Sequence, residues 1–182
     1  MQLVDLLLRR WSPREYTSEP VEPRLLTEVF EAARWAQSSF NEQPWRYVFA
    51  TRDDGGARAR LESYLVDGNA FAKEAWVLGV SFAKRTFTRN AKPNRVAVHD
   101  LGAANQAMAF RAFELGLNTR FMAGFDVEKA SELCPDDFEP VAMFVIGHAT
   151  EKALAAGPGD RGRAKVAAYV MRGEWGKPPA LD

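Results

Sequence analysis

The spacing of apolar and polar positions along the chain predicts a mixture of helices and strands. Between residues 23 and 37, and again between 94 and 115, apolar residues recur every three or four positions and therefore share one face of a helix. Pro23 suits a first helical turn, and Gly116 suits a helix end. Shorter helices are predicted at residues 3–10, 57–65 and 127–133, and short apolar runs predict strands at residues 46–51, 77–82, 119–122 and 141–146.

The order of these elements favours an α+β fold over a doubly wound sheet, because helices and strands do not alternate strictly and the strands are few. We expect one domain over residues 1–150. Residues 85–94 are polar and rich in Arg and Lys, which predicts a loop. From Thr150 the tail is rich in Gly, Pro and Ala, with one helical stretch at residues 164–171, and we expect residues 151–182 to form a C-terminal arm.

The composition of the 182 residues is that of an ordinary globular protein, with 47% hydrophobic and 26% charged residues. The 24 basic and 24 acidic residues balance, so nothing indicates a nucleic-acid partner. No apolar stretch is long enough for a membrane span, and the N-terminus lacks the pattern of a secretory signal. The single cysteine, Cys134, cannot form an internal disulfide. We therefore expect a cytoplasmic protein without a membrane partner.

A polar loop at residues 38–45, the 38–45 loop, joins a predicted helix to a predicted strand. It combines small hydroxyls, an amide pair, a proline and an indole in the sequence Ser-Ser-Phe-Asn-Glu-Gln-Pro-Trp. This mixture suits an uncharged, planar ligand with polar edges, held where a rigid frame positions a loop. The plainer alternative is a helix end that leads into an edge strand, with Pro44 fixing the backbone.

A second segment, residues 10–16, carries guanidinium groups on both sides of a hydroxyl. Arg10 and Arg14 flank Ser12, and forked arginine donors with a neutral hydroxyl donor match the oxygens of a phosphate. By itself, an arginine-rich helix end is usually a solvated last turn that the helix dipole favours. The 10–16 segment and the 38–45 loop therefore carry different kinds of binding chemistry.

Together the two segments resemble the nitroreductase family of FMN-dependent oxidoreductases. The family's Arg-x-Ser-x-Arg/Lys-x-Phe/Tyr pattern is met by Arg10, Ser12, Arg14 and Tyr16. Its Pro-Ser-x-x-Asn-x-Gln-Pro-Trp pattern is met by Ser38, Asn41, Gln43, Pro44 and Trp45, while Gln37 and Trp11 depart from the usual residues. The resemblance implies a central mixed, mainly antiparallel sheet flanked by helices. It also implies an intertwined homodimer with FMN at the subunit interface, to which the C-terminal arm contributes.

The resemblance further implies which residues bind the cofactor. Arg10, Ser12 and a basic residue of the arm, Arg163 rather than Arg161, would hold the phosphate, and Arg14 would face the pyrimidine side of the flavin. A backbone amide at Ala123 or Gly124 would face the hydride-accepting nitrogen of the flavin. The plainer interpretation of the same turn is a tight strand–helix connection capped by Asp126. The remaining candidates are Trp11, Ser38, Ser39, Asn41, Gln43, Asn69 and Met122, of which Ser38, Ser39 and Asn41 would come from the second subunit.

The expected activity is transfer of electrons from NADH or NADPH to a small-molecule acceptor, such as a nitroaromatic compound or a quinone, by a ping-pong mechanism. The flavin would carry the chemistry, so no catalytic acid–base pair is expected, and the two histidines have no spacing suited to a metal. The Gly-x-Gly-x-x-Gly match at residues 157–162 lacks the flanking strand and helix of a dinucleotide site. Two alternatives stay open: a flavin-fragmenting or dehalogenating relative, and a flavin-binding module without activity.

Overall fold

The computed structural model describes residues 2–180 of the chain. Its helices are α1 (Leu3–Arg9), α2 (Pro23–Arg34), α3 (Gly55–Glu62), α4 (Ala97–Glu114), α5 (Val127–Ser131) and α6 (Glu151–Ala156). Its strands are β1 (Trp45–Thr51), β2 (Val77–Lys84), β3 (Asn118–Met122) and β4 (Phe138–Gly147). Three 3₁₀ segments lie at Ser39–Asn41, Asp67–Glu74 and Val166–Ala168. None of the helices described in residues 2–180 has the length and apolar character needed to cross a membrane.

The four strands form one antiparallel sheet in the order β1-β2-β4-β3. The α+β class and the helix-flanked, mainly antiparallel sheet are thus confirmed, while residues 2–180 contain no parallel strand pair. The two central strands approach each other closely at Gly79. A Cβ added there would lie 2.4 Å from the ring of Phe144, so any side chain would displace that ring.

Both faces of β2 are buried, which explains why this strand has a largely continuous apolar sequence. Successive side chains of a strand point to opposite faces. Val77 and Ala83 join one core layer with α2 and α4, whereas Leu78, Val80 and Phe82 join a second layer on the opposite face. The second layer also contains Leu61 of α3, Ala72 of the 3₁₀ segment Asp67–Glu74 and Ala130 of α5.

Several element boundaries differ from the sequence prediction. Helix α2 ends at Arg34 instead of residue 37, because Trp35 already leaves helical geometry. Strand β4 begins at Phe138, three residues early, and tolerates Pro140 because the register shifts between Ser81 and Phe82 of β2. Pro140 also lies beyond the part of β4 that pairs with β3, so its lack of an N–H group removes no hydrogen bond between these two strands.

The tail differs most from the prediction. Helix α6 was not predicted; Thr150 caps it by accepting a hydrogen bond from the amide of Ala153 at 3.2 Å. The predicted helix at residues 164–171 is wrong, since only a short 3₁₀ turn over Val166–Ala168 forms. The side chains of that turn are exposed, and a helix this short needs an apolar face packed on a core to be stable.

Candidate cofactor site

The 10–16 segment leaves the end of α1 and is fastened to the edge of the sheet. Arg120, on β3, donates a hydrogen bond through Nη1 to the carbonyl of Ser12 at 2.7 Å. The segment then reaches the end of β4, where Tyr16 bridges to Ala149. Lys152 of α6 pairs with Glu15 at 2.8 Å, and this hydrogen bond is the main reason that the pKa of Glu15 is lowered. The segment is therefore held between α1, β3 and α6.

Three predicted guanidiniums meet at the end of α1. Arg161 donates to the carbonyl of Arg10 at 2.6 Å and to that of Leu8, so it caps the last turn of the helix across 151 sequence positions. Arg163 donates only to the adjacent Gly162 carbonyl and is exposed. Arg10 approaches Ser12 Oγ at 3.4 Å. Burial is the main reason that the pKa of Arg10 is lowered, and the neighbouring positive charges of Arg161 and Arg163 lower it further.

A second pair of guanidiniums surrounds Phe71. Arg14 and Arg120 lie over its ring with their Cζ atoms 5.8 and 5.4 Å from the ring centroid. Burial and then the charge of Arg14 lower the pKa of Arg120. Sequence reasoning missed Arg120 and Phe71. The signal available for Arg120 was a cation in the short strand that leads directly into the predicted ligand-facing turn at Ala123 and Gly124.

The turn after β3 lies beside the 3₁₀ segment Asp67–Glu74. Asn69 donates through Nδ2 to the carbonyl of Gly124 at 2.8 Å, so two separately predicted residues are adjacent. A Cβ on Gly124 would lie 3.3 Å from both Asn69 and Val66, which limits any side chain there. Ala123 and Gly124 are exposed, whereas the Met122 side chain is buried in the core. Only the backbone of Met122 can therefore face a ligand.

The 38–45 loop is folded by its own hydrogen bonds. Phe40, Asn41 and Gln43 have positive φ angles of 54°, 55° and 50°. The Gln43 amide donates to Ser38 Oγ at 3.0 Å, and the Gln43 side chain donates to the Asn41 carbonyl at 3.2 Å. The Ser39 amide donates to Oδ2 of the buried Asp100 at 2.9 Å. These contacts hold the backbone in a conformation that non-glycine residues rarely adopt.

The same loop is anchored to the loop that follows β2. The carboxylate of Glu42 accepts hydrogen bonds from the amide and hydroxyl of Thr88 at 2.8 and 2.5 Å. Burial alone would raise the pKa of Glu42, but the Thr88 hydrogen bonds and the charge of Lys84 outweigh it and lower that pKa. The exposed ring of Phe40 lies 3.8 Å from the guanidinium carbon of Arg89. The sequence did not identify Asp100, Thr88 or Arg89 as partners of this loop.

The two predicted halves of the site do not meet within one copy of the chain. Among residues 2–180, no hydrogen bond, ion pair or aromatic contact joins the 38–45 loop to the Arg10, Arg14 and Asn69 region. Trp11 is separate from both halves, because it packs edge-on against Phe113 at 5.9 Å. It lines a cavity of about 370 Å³ with Leu117 and Pro158 on the α4 side of the segment.

The region around the 10–16 segment has an unbalanced charge. Within residues 2–180, no carboxylate forms an ion pair with any of its five arginines, whereas several arginines elsewhere pair with glutamates, as Arg58 does with Glu62 and Arg111 with Glu28. The five are Arg10, Arg14, Arg120, Arg161 and Arg163. Two buried polar atoms nearby, Tyr16 Oη and Arg120 Nε, also lack hydrogen-bond partners in the described residues. A group of cations without counter-ions, beside exposed backbone amides, can bind an anionic ligand.

Comparison with known proteins agrees with this geometry. The nitroreductase family profile matches residues 7–75, which include both motifs and Asn69. A solved oxidoreductase containing FMN superposes with a TM-score of 0.85 at 29% identity, over 97% of this chain and 94% of that one. The chain belongs to the nitroreductase family.

Two further relatives define how far the similarity extends. A protein named NADH dehydrogenase from Thermus thermophilus is 43% identical over 76 residues, which cover 42% of this chain and 36% of that protein. A Desulfovibrio desulfuricans structure solved in complex with FMN has a TM-score of 0.75 at 25% identity, over 96% of this chain and 98% of that one. The aligned part thus spans about a third of the Thermus protein, whereas the structural similarity covers nearly the whole chain.

The structure explains one departure from the nitroreductase pattern and locates the other. Trp11 stands where the family usually has arginine or histidine, and its indole packs on α4 through Phe113. Gln37 stands where proline is usual, in the connection between α2 and the 38–45 loop. Neither position interrupts the hydrogen bonds that fold the loop or the group of five arginines.

Proposed function

We propose that this nitroreductase-family chain is an FMN-dependent oxidoreductase that uses NADH or NADPH. The single observation that carries the proposal is the group of five arginines without carboxylate partners around the 10–16 segment, of which Arg120 lies on the strand that leads into the exposed Ala123–Gly124 turn. A dianionic phosphate matches one end of that group, and a planar ring with polar edges matches the turn and Asn69. The FMN-containing structures and the Thermus NADH dehydrogenase support the cofactor and the donor.

The residues present fit FMN in distinct roles. Arg10, Ser12 and Arg163 would hold the phosphate, because the donors of Arg163 reach only a neighbouring carbonyl, whereas those of Arg161 already cap α1. Arg14 would lie at the pyrimidine edge of the ring. The amides at Ala123 and Gly124 would face the opposite part of the ring system, positioned by the hydrogen bond from Asn69 to the Gly124 carbonyl.

The chemistry that FMN would supply when bound is hydride transfer from a nicotinamide and electron transfer to an acceptor. The protein's contribution is to bind and orient the reactants and to set the electrostatics of the site. We propose that donor and acceptor bind in turn at the same place, in a ping-pong sequence, and that nitroaromatics and quinones are suitable acceptors because both are planar. The chain supplies no step of its own that requires a nucleophilic serine or cysteine.

We further propose a homodimer in which the 38–45 loop of one copy completes the site of the other. The loop is prefolded, yet within residues 2–180 no hydrogen bond, ion pair or aromatic contact joins it to the 10–16 segment of its own chain. Helix α1 also leaves apolar side chains exposed, and the arm exposes Trp175 to 94%. Burial of these surfaces between two copies would provide an apolar interface: Leu3, Val4, Leu7 and Leu8 of α1, with Tyr169 and Trp175 of the arm.

The proposed function is tested by loading the purified protein with FMN and removing free flavin by gel filtration. The protein should retain flavin absorption, which should bleach on anaerobic addition of NADH or NADPH and return when a quinone is added. Protein that retains no flavin contradicts the cofactor assignment. Protein that retains FMN but is bleached by neither nicotinamide is instead a flavin-binding module without this activity.

A further inference from the structure

We propose that Arg120 is a second ring-site cation which, together with Arg14, makes the site bind reduced flavin more tightly than oxidised flavin. This inference rests on the proposed function, since it assigns a role toward FMN to a residue outside both family motifs. Oxidised flavin is neutral in its ring, whereas reduced flavin at neutral pH carries a negative charge at the pyrimidine edge. A cation fixed near that edge therefore favours the reduced form.

The geometry divides the five arginines into two groups. Arg10, Arg161 and Arg163 influence one another at the end of α1. Arg120 instead lies near Arg14 and Tyr16, donates to the Ser12 carbonyl, and shares the Phe71 ring with Arg14. The negative charge of one phosphate can compensate the positive charge of the first group. The second group requires another negative charge, and the ring carries one only after reduction.

Arg120 is placed where it cannot easily move away from Arg14. Its Nη1 is held by the Ser12 carbonyl at 2.7 Å, and its Nε is buried without a hydrogen-bond partner in the described residues. Two like charges on one aromatic ring repel each other, and partial burial of Arg120 adds to the cost of its charge. An anion bound between the two guanidiniums would relieve this repulsion.

The neighbouring Tyr16 does not provide that anion. Burial raises the pKa of the Tyr16 hydroxyl, and the charge of Arg120 only partly offsets this effect. Tyr16 therefore stays neutral at ordinary pH, and among residues 2–180 no carboxylate pairs with Arg120 or Arg14. The negative charge that compensates the pair must come from a ligand.

The test compares the affinities of oxidised and dithionite-reduced flavin, measured anaerobically by fluorescence and absorbance titration. Riboflavin and FMN are both used, because riboflavin lacks the phosphate. Arg120→Gln should lower the preference for reduced over oxidised flavin about tenfold to hundredfold with both flavins, the range expected for loss of one hydrogen bond to a charged group. Arg120→Lys keeps the charge and should retain most of the preference. Arg24→Gln, an exposed helix position, is the control for net charge.

Each other outcome rejects a defined part of the proposal. Equal weakening of oxidised and reduced flavin would mean that Arg120 only holds the Ser12 backbone. A loss confined to FMN would place Arg120 at the phosphate. Circular dichroism checks folding, and Arg120→Met, a second neutral variant, replaces Arg120→Gln if the latter is unfolded. Wild-type protein that binds neither flavin overturns the proposed function as well, whereas wild-type binding with an unchanged ratio in the variants overturns only the role of Arg120.

Discussion

The 10–16 segment and the 38–45 loop carry the two nitroreductase motifs, but the fold leaves them in opposite states. The 10–16 segment lies among five arginines that have no carboxylate partner in the described residues. In the 38–45 loop, by contrast, three donors are already hydrogen-bonded. The Gln43 backbone amide donates to Ser38, the Gln43 side chain donates to the Asn41 carbonyl, and the Ser39 amide donates to Asp100. One region has binding capacity that is unused within the chain, whereas the other is a rigid surface whose shape is already set.

This difference indicates how the two regions would contribute to binding. Cations without counter-ions gain stability when an anion arrives, so the 10–16 region should dominate affinity and respond strongly to the charge of the ligand. A prefolded loop loses little conformational entropy on binding, so it should contribute to ring orientation at low cost. Because no hydrogen bond, ion pair or aromatic contact joins the two regions within residues 2–180 of one chain, their combination requires a second copy under the proposed function.

The largest expected effect concerns that second copy. Light scattering should give twice the chain mass of 20.3 kDa at low micromolar concentration. Leu7→Asp places a charge on the exposed apolar face of α1 and should shift the protein toward monomer, with parallel loss of bound flavin, because an isolated charge in an apolar interface is costly. Val127→Asp, at an exposed apolar position on α5, is the matched control. A stable monomer that is loaded with flavin would contradict the shared site.

The next effect separates phosphate binding from ring binding. Arg10→Ala removes a charge-assisted contact worth about 1.5–3 kcal/mol, so FMN affinity should fall roughly tenfold to hundredfold. Riboflavin affinity should barely change, and Arg9→Ala, an exposed neighbour on the last turn of α1, should leave both unchanged. Fluorescence titrations with both flavins measure this. Equal weakening of riboflavin and FMN by Arg10→Ala would show that Arg10 is not at the phosphate.

The smallest effect concerns the rigidity of the 38–45 loop. Asp100→Ala removes the acceptor of the Ser39 amide, whereas Asp100→Asn keeps an oxygen acceptor there. Both variants lose the favourable charge at the N-terminal end of α4, so the difference between them reports the polar contacts of this side chain, with the Ser39 amide and with His99 Nδ1 at 3.1 Å. Urea unfolding should show Asp100→Ala to be less stable than Asp100→Asn by about 1 kcal/mol. If the two variants are equally stable, this hydrogen bond does not hold the loop.

Most elements of the fold could be predicted because their signals are local. Helical spacing identified α2 and α4, and short apolar runs identified all four strands. The errors occur where long-range packing decides. The 3₁₀ segment Asp67–Glu74 is held by the guanidinium of Arg58, which donates to carbonyls that include those of Lys73 and Ala75 at 2.9 and 2.8 Å. Nothing in the local sequence of that segment indicates this buried partner.

The candidate site was predictable only in part. Residues with a distinctive local pattern, such as Arg10, Ser12 and Asn41, were found through their motifs. Arg120 and Phe71 belong to no motif, and their relation to Arg14 depends on how β3 and the 3₁₀ segment are placed next to the 10–16 segment. The same holds for Asp100, which reaches the 38–45 loop from 61 positions away. Their proximity follows from the sheet order and the two core layers.

From the sequence alone, the α+β class, the positions of the two motifs and the chemistry that each can offer could be predicted. These depend on residue type and on spacing over a few turns, which act locally. Long-range packing sets which charges lie together and which of them have no counter-ion within residues 2–180. It fastened Arg161 to the end of α1, left Arg163 exposed and placed Arg120 beside Arg14. Electrostatic energy depends on distance in space, and burial of the apolar faces of the sheet sets those distances regardless of separation along the chain.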